Sequence, residues 1–207
     1  MSDLDTFTLL PLHLDPQSKA VSTSSTSRTL QTELATLNTL HRTLLTLETP
    51  NQVPPPPVPV NPKRSANITK LRESGNASHR KGQHAEAAKL YSLGLQMALG
   101  RPLWEPQGLV REEVAALYAN RAQAYMALQA WPEAAADAEA SVEARRVGNA
   151  KAWWRRGKAL VEMGRLDEAR EWVRKGLETE GDEAELAALL KDVEARLEKA
   201  RSAAASA

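Results

Sequence analysis

Apolar residues along this chain follow two different rhythms. Between residues 63 and 201 they return every three or four positions with charged residues between them, the period of amphipathic helices, and proline is confined there to short turns. Nearer the N-terminus the pattern is first extended: in TFTLLPLHL, residues 6–14, Leu10, Leu12 and Leu14 alternate to one side, and Asp15-Pro16-Gln17 turns the chain. Leu30, Leu34, Leu37, Leu40, Leu44 and Leu47 follow at spacings of three and four, which predicts a helix with a leucine stripe. A segment of about fifty residues buries too little surface to cover that stripe alone. These leucines are therefore expected to pack on a partner, with folding back on the remainder of the chain as the open alternative. Between the two rhythms, PNQVPPPPVPVNP at 50–62 favours polyproline II, a spacer rising about 3.1 Å per residue. The expected organisation is an N-terminal partner-binding segment over 1–49, a Pro-rich linker over 50–65, a helical domain over 66–201 and a disordered tail over 202–207.

The helical part repeats. GNASHRKGQHAEAAKLYSLGL (75–95), RAQAYMALQAWPEAAADAEASV (121–142) and GKALVEMGRLDEAREWVRKGL (157–177) share one spacing. Small residues recur in phase: Gly75, Ala87 and Gly94, then Ala122, Ala134 and Ser141, then Gly157, Ala169 and Gly176. Bulky residues recur as regularly, with Tyr118 and Trp153 opening the first helix of units two and three and Trp131 and Leu166 opening the second. The pattern resembles a tetratricopeptide array of three helical hairpins, an all-α fold in which such residues, Trp172 included, are packing residues. GRPLWEPQGLVRE at 100–112 lengthens the first interval and reads as a loop insertion. Leu186, Leu189, Leu190, Val193 and Leu197 mark one face of a further helix, the cap a solenoid needs over its last apolar surface.

Composition narrows the function. Lys and Arg number 27 against 26 acidic residues, a net charge of +1, which argues against a general binder of nucleic acid or anionic membranes. With no cysteine, disulfides and thiolate metal sites are excluded. The start of the chain does not read as a secretory signal, and no apolar run approaches a membrane span. The four histidines, at 13, 41, 79 and 84, have no metal-ligand spacing backed by a carboxylate, and neither a phosphate-cradling loop nor a nucleophile elbow is present. No enzyme, metal or cofactor is expected. The sequons at Asn67 and Asn76 are coincidences of a helical sequence.

What remains is local charge. NAKAWWRRGKAL, 149–160, places Lys151, Arg155, Arg156 and Lys158 at a predicted helix start, where the macrodipole is already positive. In arrays of this kind the first helix of each unit lines a concave groove. Its positions here read Arg72, Asn76, His79 and Arg80, then Ala116, Ala119, Asn120, Gln123, Met126 and Ala127, then Lys151, Trp154, Arg155 and Lys158, with cations and amides but no carboxylate among them. The segments KLRESGNA, LYANRA and KAWWRRGKAL resemble those forming the dicarboxylate clamp of chaperone-binding tetratricopeptide domains. The resemblance implies that Arg72, Asn76, Asn120, Lys151 and Arg155 grip the C-terminal Glu-Glu-Val-Asp of cytosolic heat-shock chaperones. His79, Arg80, Gln123, Trp154 and Lys158 would be additional groove residues. Arg72 stands where that family usually has lysine.

The stretch LGRPLWEPQGLVREEVAALYANRA, 99–122, is similar to the small cytosolic tetratricopeptide subunit of the fungal Sec translocation complex, over about residues 66–195. That resemblance implies a non-enzymatic adaptor serving post-translational import. It would sit peripherally on the cytoplasmic face of the endoplasmic reticulum, held by a membrane-anchored companion subunit through residues 1–49, without inserting into the bilayer. A soluble co-chaperone with no membrane complex is the alternative, and an accessory domain of an enzyme whose catalytic part lies elsewhere is a more distant one.

Overall fold

The computed structural model describes residues 9–47, 53–54 and 56–205, with side chains as far as 203. The chain divides into two compact units, Met1–Val58 and Pro59–Ala207. The beginning of the extended segment expected over 6–14 lies outside the described residues.

The first unit holds strands β1 (Leu12–Leu14) and β2 (Val21–Thr23) and helix α1 (Arg28–Leu45). The strands pair antiparallel with Leu12 opposite Thr23 and Leu14 opposite Val21. The turn between them is built by Asp15, whose carboxylate accepts hydrogen bonds from the backbone N–H of Gln17 (2.9 Å) and Ser18 (2.6 Å) and from the Ser18 hydroxyl (2.8 Å). β2 was not expected, because its polar sequence carries no alternation. It is held from one side by β1 and from the other by Asn38 of α1, whose side chain accepts from the Val21 N–H at 2.8 Å and donates to the Val21 carbonyl at 2.7 Å, as a neighbouring strand would. Ser27 caps α1 by accepting from the Leu30 N–H. The helix ends at Leu45, so Leu47 of the leucine stripe lies beyond it.

The second unit is a run of antiparallel helices: α2 (Pro62–Arg80), α3 (His84–Leu99), α4 (Gln107–Ala127), α5 (Trp131–Ala144), α6 (Ala150–Glu162), α7 (Leu166–Glu180) and α8 (Ala184–Ala205). Each packs on its successor, and α4 also touches α2 and α6 while α8 touches α6, so the first helices of the three hairpins lie side by side. Three boundaries differ from expectation for local reasons. Asn61 accepts from the Lys63 N–H and Pro62 occupies the first turn, where its missing donor costs nothing, so α2 begins inside the stretch read as linker. Residues 107–112 of the expected loop insertion are helical and lengthen α4. Residues 202–205 of the expected tail continue α8.

The small residues in phase do what that phase implies. A Cβ added to Gly75 would lie 2.5 Å from the Tyr91 ring, at Gly157 2.6 Å from Val173, and at Gly94 2.9 Å from Leu117. Trp153 is 1% exposed, stacks on Trp172 with centroids 4.3 Å apart, and accepts the Trp172 indole N–H at its carbonyl (2.9 Å). Leu186, Leu189, Val193 and Leu197 of α8 are buried in the same cluster, which makes α8 the cap. The connection before α4 is pinned by Arg101, whose buried guanidinium donates to Glu113 (2.6 and 2.8 Å) and to the Ser65 hydroxyl (2.7 Å) and pairs with Glu105.

One position recurs in the backbone as well. Gly82, Gln129 and Gly164 each lie seven residues beyond Gly75, Ala122 and Gly157 and turn their hairpins with φ of 76°, 58° and 73°. Two units place glycine there and the middle one does not, although a side chain in this region costs about 1–2 kcal/mol. Gln129→Gly is expected to raise stability by about 0.5 kcal/mol after the added flexibility of the unfolded chain is subtracted, and Gly164→Ala to lower it by about 1 kcal/mol. Urea midpoints at unchanged m-value would measure both; opposite signs would refute the strain.

Candidate functional site

The facing sides of α2, α4, α6 and α8 enclose two adjoining clefts of about 950 and 770 Å³. Gln123, Lys151, Arg155 and Glu185 line both. Arg72, Asn76, Asn120, Lys151 and Arg155 all line the larger one, so helices distant in sequence bring these five residues to one wall. His79, Trp154 and Lys158 line the smaller with Met126, Trp131 and Leu189. Arg80 lines neither.

Arg155 is the residue on which the cleft is built. It is 9% exposed, and its guanidinium donates to the Ala119 carbonyl at 2.8 Å and to the Gln123 side-chain oxygen at 2.7 Å, tying α6 to α4. Both acceptors are neutral, and no carboxylate among the described residues forms an ion pair with it. Burial pushes its pKa below the ordinary arginine value, opposed by Tyr91 and Glu185, yet a guanidinium starts so high that it stays charged. A cation is therefore held in place against a desolvation penalty, with no anion in contact.

The amides are similarly prepared. Asn76 accepts from the Tyr91 hydroxyl (2.7 Å) and from the Asn120 amide (3.0 Å), so its oxygen is occupied while its own N–H groups have no partner among the described residues. Lys151 is exposed and Arg72 half-buried, both without an ion pair among the described residues. The wall thus presents lysine, arginine and asparagine donors without acceptors of their own.

The other cations of the α6 start have separate duties. Arg156 is turned to another side, paired with Glu139 and lying 4.2 Å over the Trp172 ring. Lys158 is bound to Glu162 at 2.6 Å. A carboxylate already stands at the helix start: the N–H groups of Gly148 and Asn149, just ahead of α6, donate to the Glu180 carboxylate at 2.9 and 2.7 Å. His79 stacks edge-on against His84, centroids 4.7 Å apart, and burial, reinforced by His84, pushes its pKa down.

The wall is not free of acid, contrary to the sequence reading. Glu73 of α2 lines the larger cleft, and the α7–α8 end contributes Glu180, Glu183 and Glu185. Glu73 stands at the same phase in its repeat as Asn120 and Arg155, so strict counting finds it; the others lie beyond the third unit's first helix and carry no repeat signal. In the first unit, Leu34 is buried, Leu30, Leu40, Leu44 and Leu47 are half-buried, and Leu37 is 48% exposed, as are Leu10, Leu12 and Leu14 by 52, 47 and 62%.

The tetratricopeptide repeat family model matches residues 150–182, the third hairpin. The first tetratricopeptide domain of Spaghetti (RPAP3), solved bound to the HSP90 peptide SRMEEVD, is 27% identical with a TM-score of 0.54, over 64% of this chain and 94% of that one. A chain of the Saccharomyces cerevisiae Sec complex shares the fold at a TM-score of 0.75 and 23% identity, over 91% of this chain and 98% of that one. The Schizosaccharomyces pombe ER protein translocation subcomplex subunit sec67 is 40% identical over 143 residues, 68% of this chain and 74% of that protein. Identity of that extent, over two thirds or more of both chains, places the chain in a family: it belongs to that of the sec67 subunit of the ER protein translocation subcomplex.

Proposed function

We propose that this protein is a non-enzymatic adaptor that captures the free C-terminal carboxylates of an acidic chaperone tail in the α2–α4–α6 cleft and serves the ER translocation complex. The observation that carries the reading is Arg155, a buried cation that among the described residues is satisfied only by neutral acceptors, beside donors on Asn76, Lys151 and Arg72 that have no partner there. A peptide ending in aspartate brings two carboxylates on one residue, each able to accept several hydrogen bonds. Charge-assisted bonds contribute about 1.5–3 kcal/mol each. Less the cost of ordering the peptide, a handful gives about 8 kcal/mol, micromolar affinity suited to a transient grip. The HSP90 peptide held by the Spaghetti domain supports this ligand class.

The membrane connection is assigned to the first unit. No described helix is long and apolar enough to cross a membrane. Leu12 and Leu14 of β1 and Leu37 on α1 are large apolar side chains left exposed, of the kind that a companion subunit buries. The protein would act at the cytoplasmic face of the endoplasmic reticulum through that companion.

Lys151→Ala is expected to lower affinity for a peptide ending in Glu-Glu-Val-Asp at least tenfold, about 1.4 kcal/mol, with the circular dichroism spectrum unchanged because Lys151 is exposed. It is a cleaner probe than Arg155→Ala, which also removes the bonds to Ala119 and Gln123. Calorimetry showing undiminished binding would refute capture at this wall. Leu37→Asp should leave that peptide affinity unaltered and abolish co-elution with the cytosolic part of the companion subunit in gel filtration; an intact complex would move the docking surface off α1.

A further inference from the structure

The cations of the cleft share it with carboxylates from the helix that closes the array. Glu185, in the first turn of α8, lines both clefts together with Lys151 and Arg155. It is exposed and forms no ion pair among the described residues, although its charge is one of those that favour protonated Arg155. Glu180 differs: its carboxylate is held by the N–H groups of Gly148 and Asn149. Glu73 and Glu183 line only the larger cleft. Of these carboxylates Glu185 alone lines both clefts, so it stands where the one holding Asn76, Asn120 and Lys151 adjoins the one holding Met126, Trp131 and Trp154.

We propose that Glu185 is a specificity-determining residue of this groove, disfavouring acidic side chains just upstream of the terminal carboxylates and favouring neutral or basic ones. The inference rests on the carboxylate-capture reading above. The physical basis is the sign and placement of the charge. A carboxylate beside the path repels every ligand anion, but falls most heavily on side chains in the middle of the path. The terminal carboxylates are compensated by Arg155, Lys151 and the asparagine amides, whereas a glutamate one or two residues upstream has Glu185 as its neighbour. In a solvent-open cleft such a repulsion weakens binding by a factor of a few and fades as salt screens it.

The test uses the full chain and two peptides of equal length, one ending in Glu-Glu-Val-Asp and one in Gln-Gln-Val-Asp, with affinities read by fluorescence anisotropy at low and high salt. Glu185→Gln is expected to tighten the first peptide about threefold and Glu185→Lys about tenfold at low salt. The second peptide should gain less than half of that factor. Glu198→Lys, an exposed position on the same helix that lines neither cleft, makes the same change in net charge and should leave both affinities within about 1.5-fold. Equal gains for the two peptides, or equal gains from Glu198→Lys, would reduce the effect to the overall field and overturn the assignment. Binding that depends on Lys151 but ignores Glu185 overturns this inference alone; binding indifferent to Lys151→Ala overturns the capture reading and this inference with it.

Discussion

A guanidinium buried among neutral acceptors is the constraint around which the second unit is arranged. Arg155 reaches from α6 to the Ala119 carbonyl and the Gln123 side chain of α4, so it fixes the spacing of two neighbouring first helices while keeping its charge unanswered. An arginine suits this position and a lysine does not: the planar fork satisfies two acceptors at once and stays charged despite burial. The cost of that buried charge falls on the packing around it, above all on the cluster of Trp153, Leu160, Val173 and the α8 leucines that holds α6 rigid. The same rigidity keeps the donors of Asn76 and Asn120 in place through the Tyr91 hydroxyl. A groove prepared in this way would lose little freedom on meeting a ligand.

Much of this was legible in the sequence because it repeats. Gly75, Ala122 and Gly157 fall in phase, and wherever that phase holds a glycine the partner helix approaches within a distance no Cβ tolerates. Once the phase is set, the residues facing the concave side follow by counting, which is why Arg72, Asn76, Asn120, Lys151 and Arg155 converge although they span three hairpins. The capping helix was equally readable, since Leu186, Leu189, Val193 and Leu197 keep a helical period directly after the third hairpin, whose last apolar surface needs a cover.

What escaped the sequence has physical reasons. Strand β2 exists because β1 and the Asn38 side chain supply its backbone partners, and neither contact leaves a pattern in Val21-Ser22-Thr23. The stretch at 100–112 reads as a loop insertion because it lengthens the first repeat interval, yet helix begins directly after Pro106, and Arg101 with Glu113 anchors it from within. Among the acids of the cleft, Glu73 is in phase and is found by strict counting, whereas Glu183 and Glu185 belong to the cap and the connection preceding it, where the repeat register stops. Arg156 and Lys158 sit in the same basic run but differ in surroundings: Arg156 packs on Trp172, and Lys158, at the smaller cleft, is paired with Glu162.

The central claim, that the unpaired donors of the cleft receive a terminal carboxylate, is tested most directly by the side-chain amide resonances of Asn76 and Asn120 during titration with a peptide ending in Glu-Glu-Val-Asp, prepared both as free acid and as C-terminal amide. The free acid should move these amide signals in step with the Lys151 and Arg155 resonances, and the amidated peptide should leave them nearly still at the same concentration. Equal shifts with both peptides, or shifts confined to other faces of the array, would contradict it.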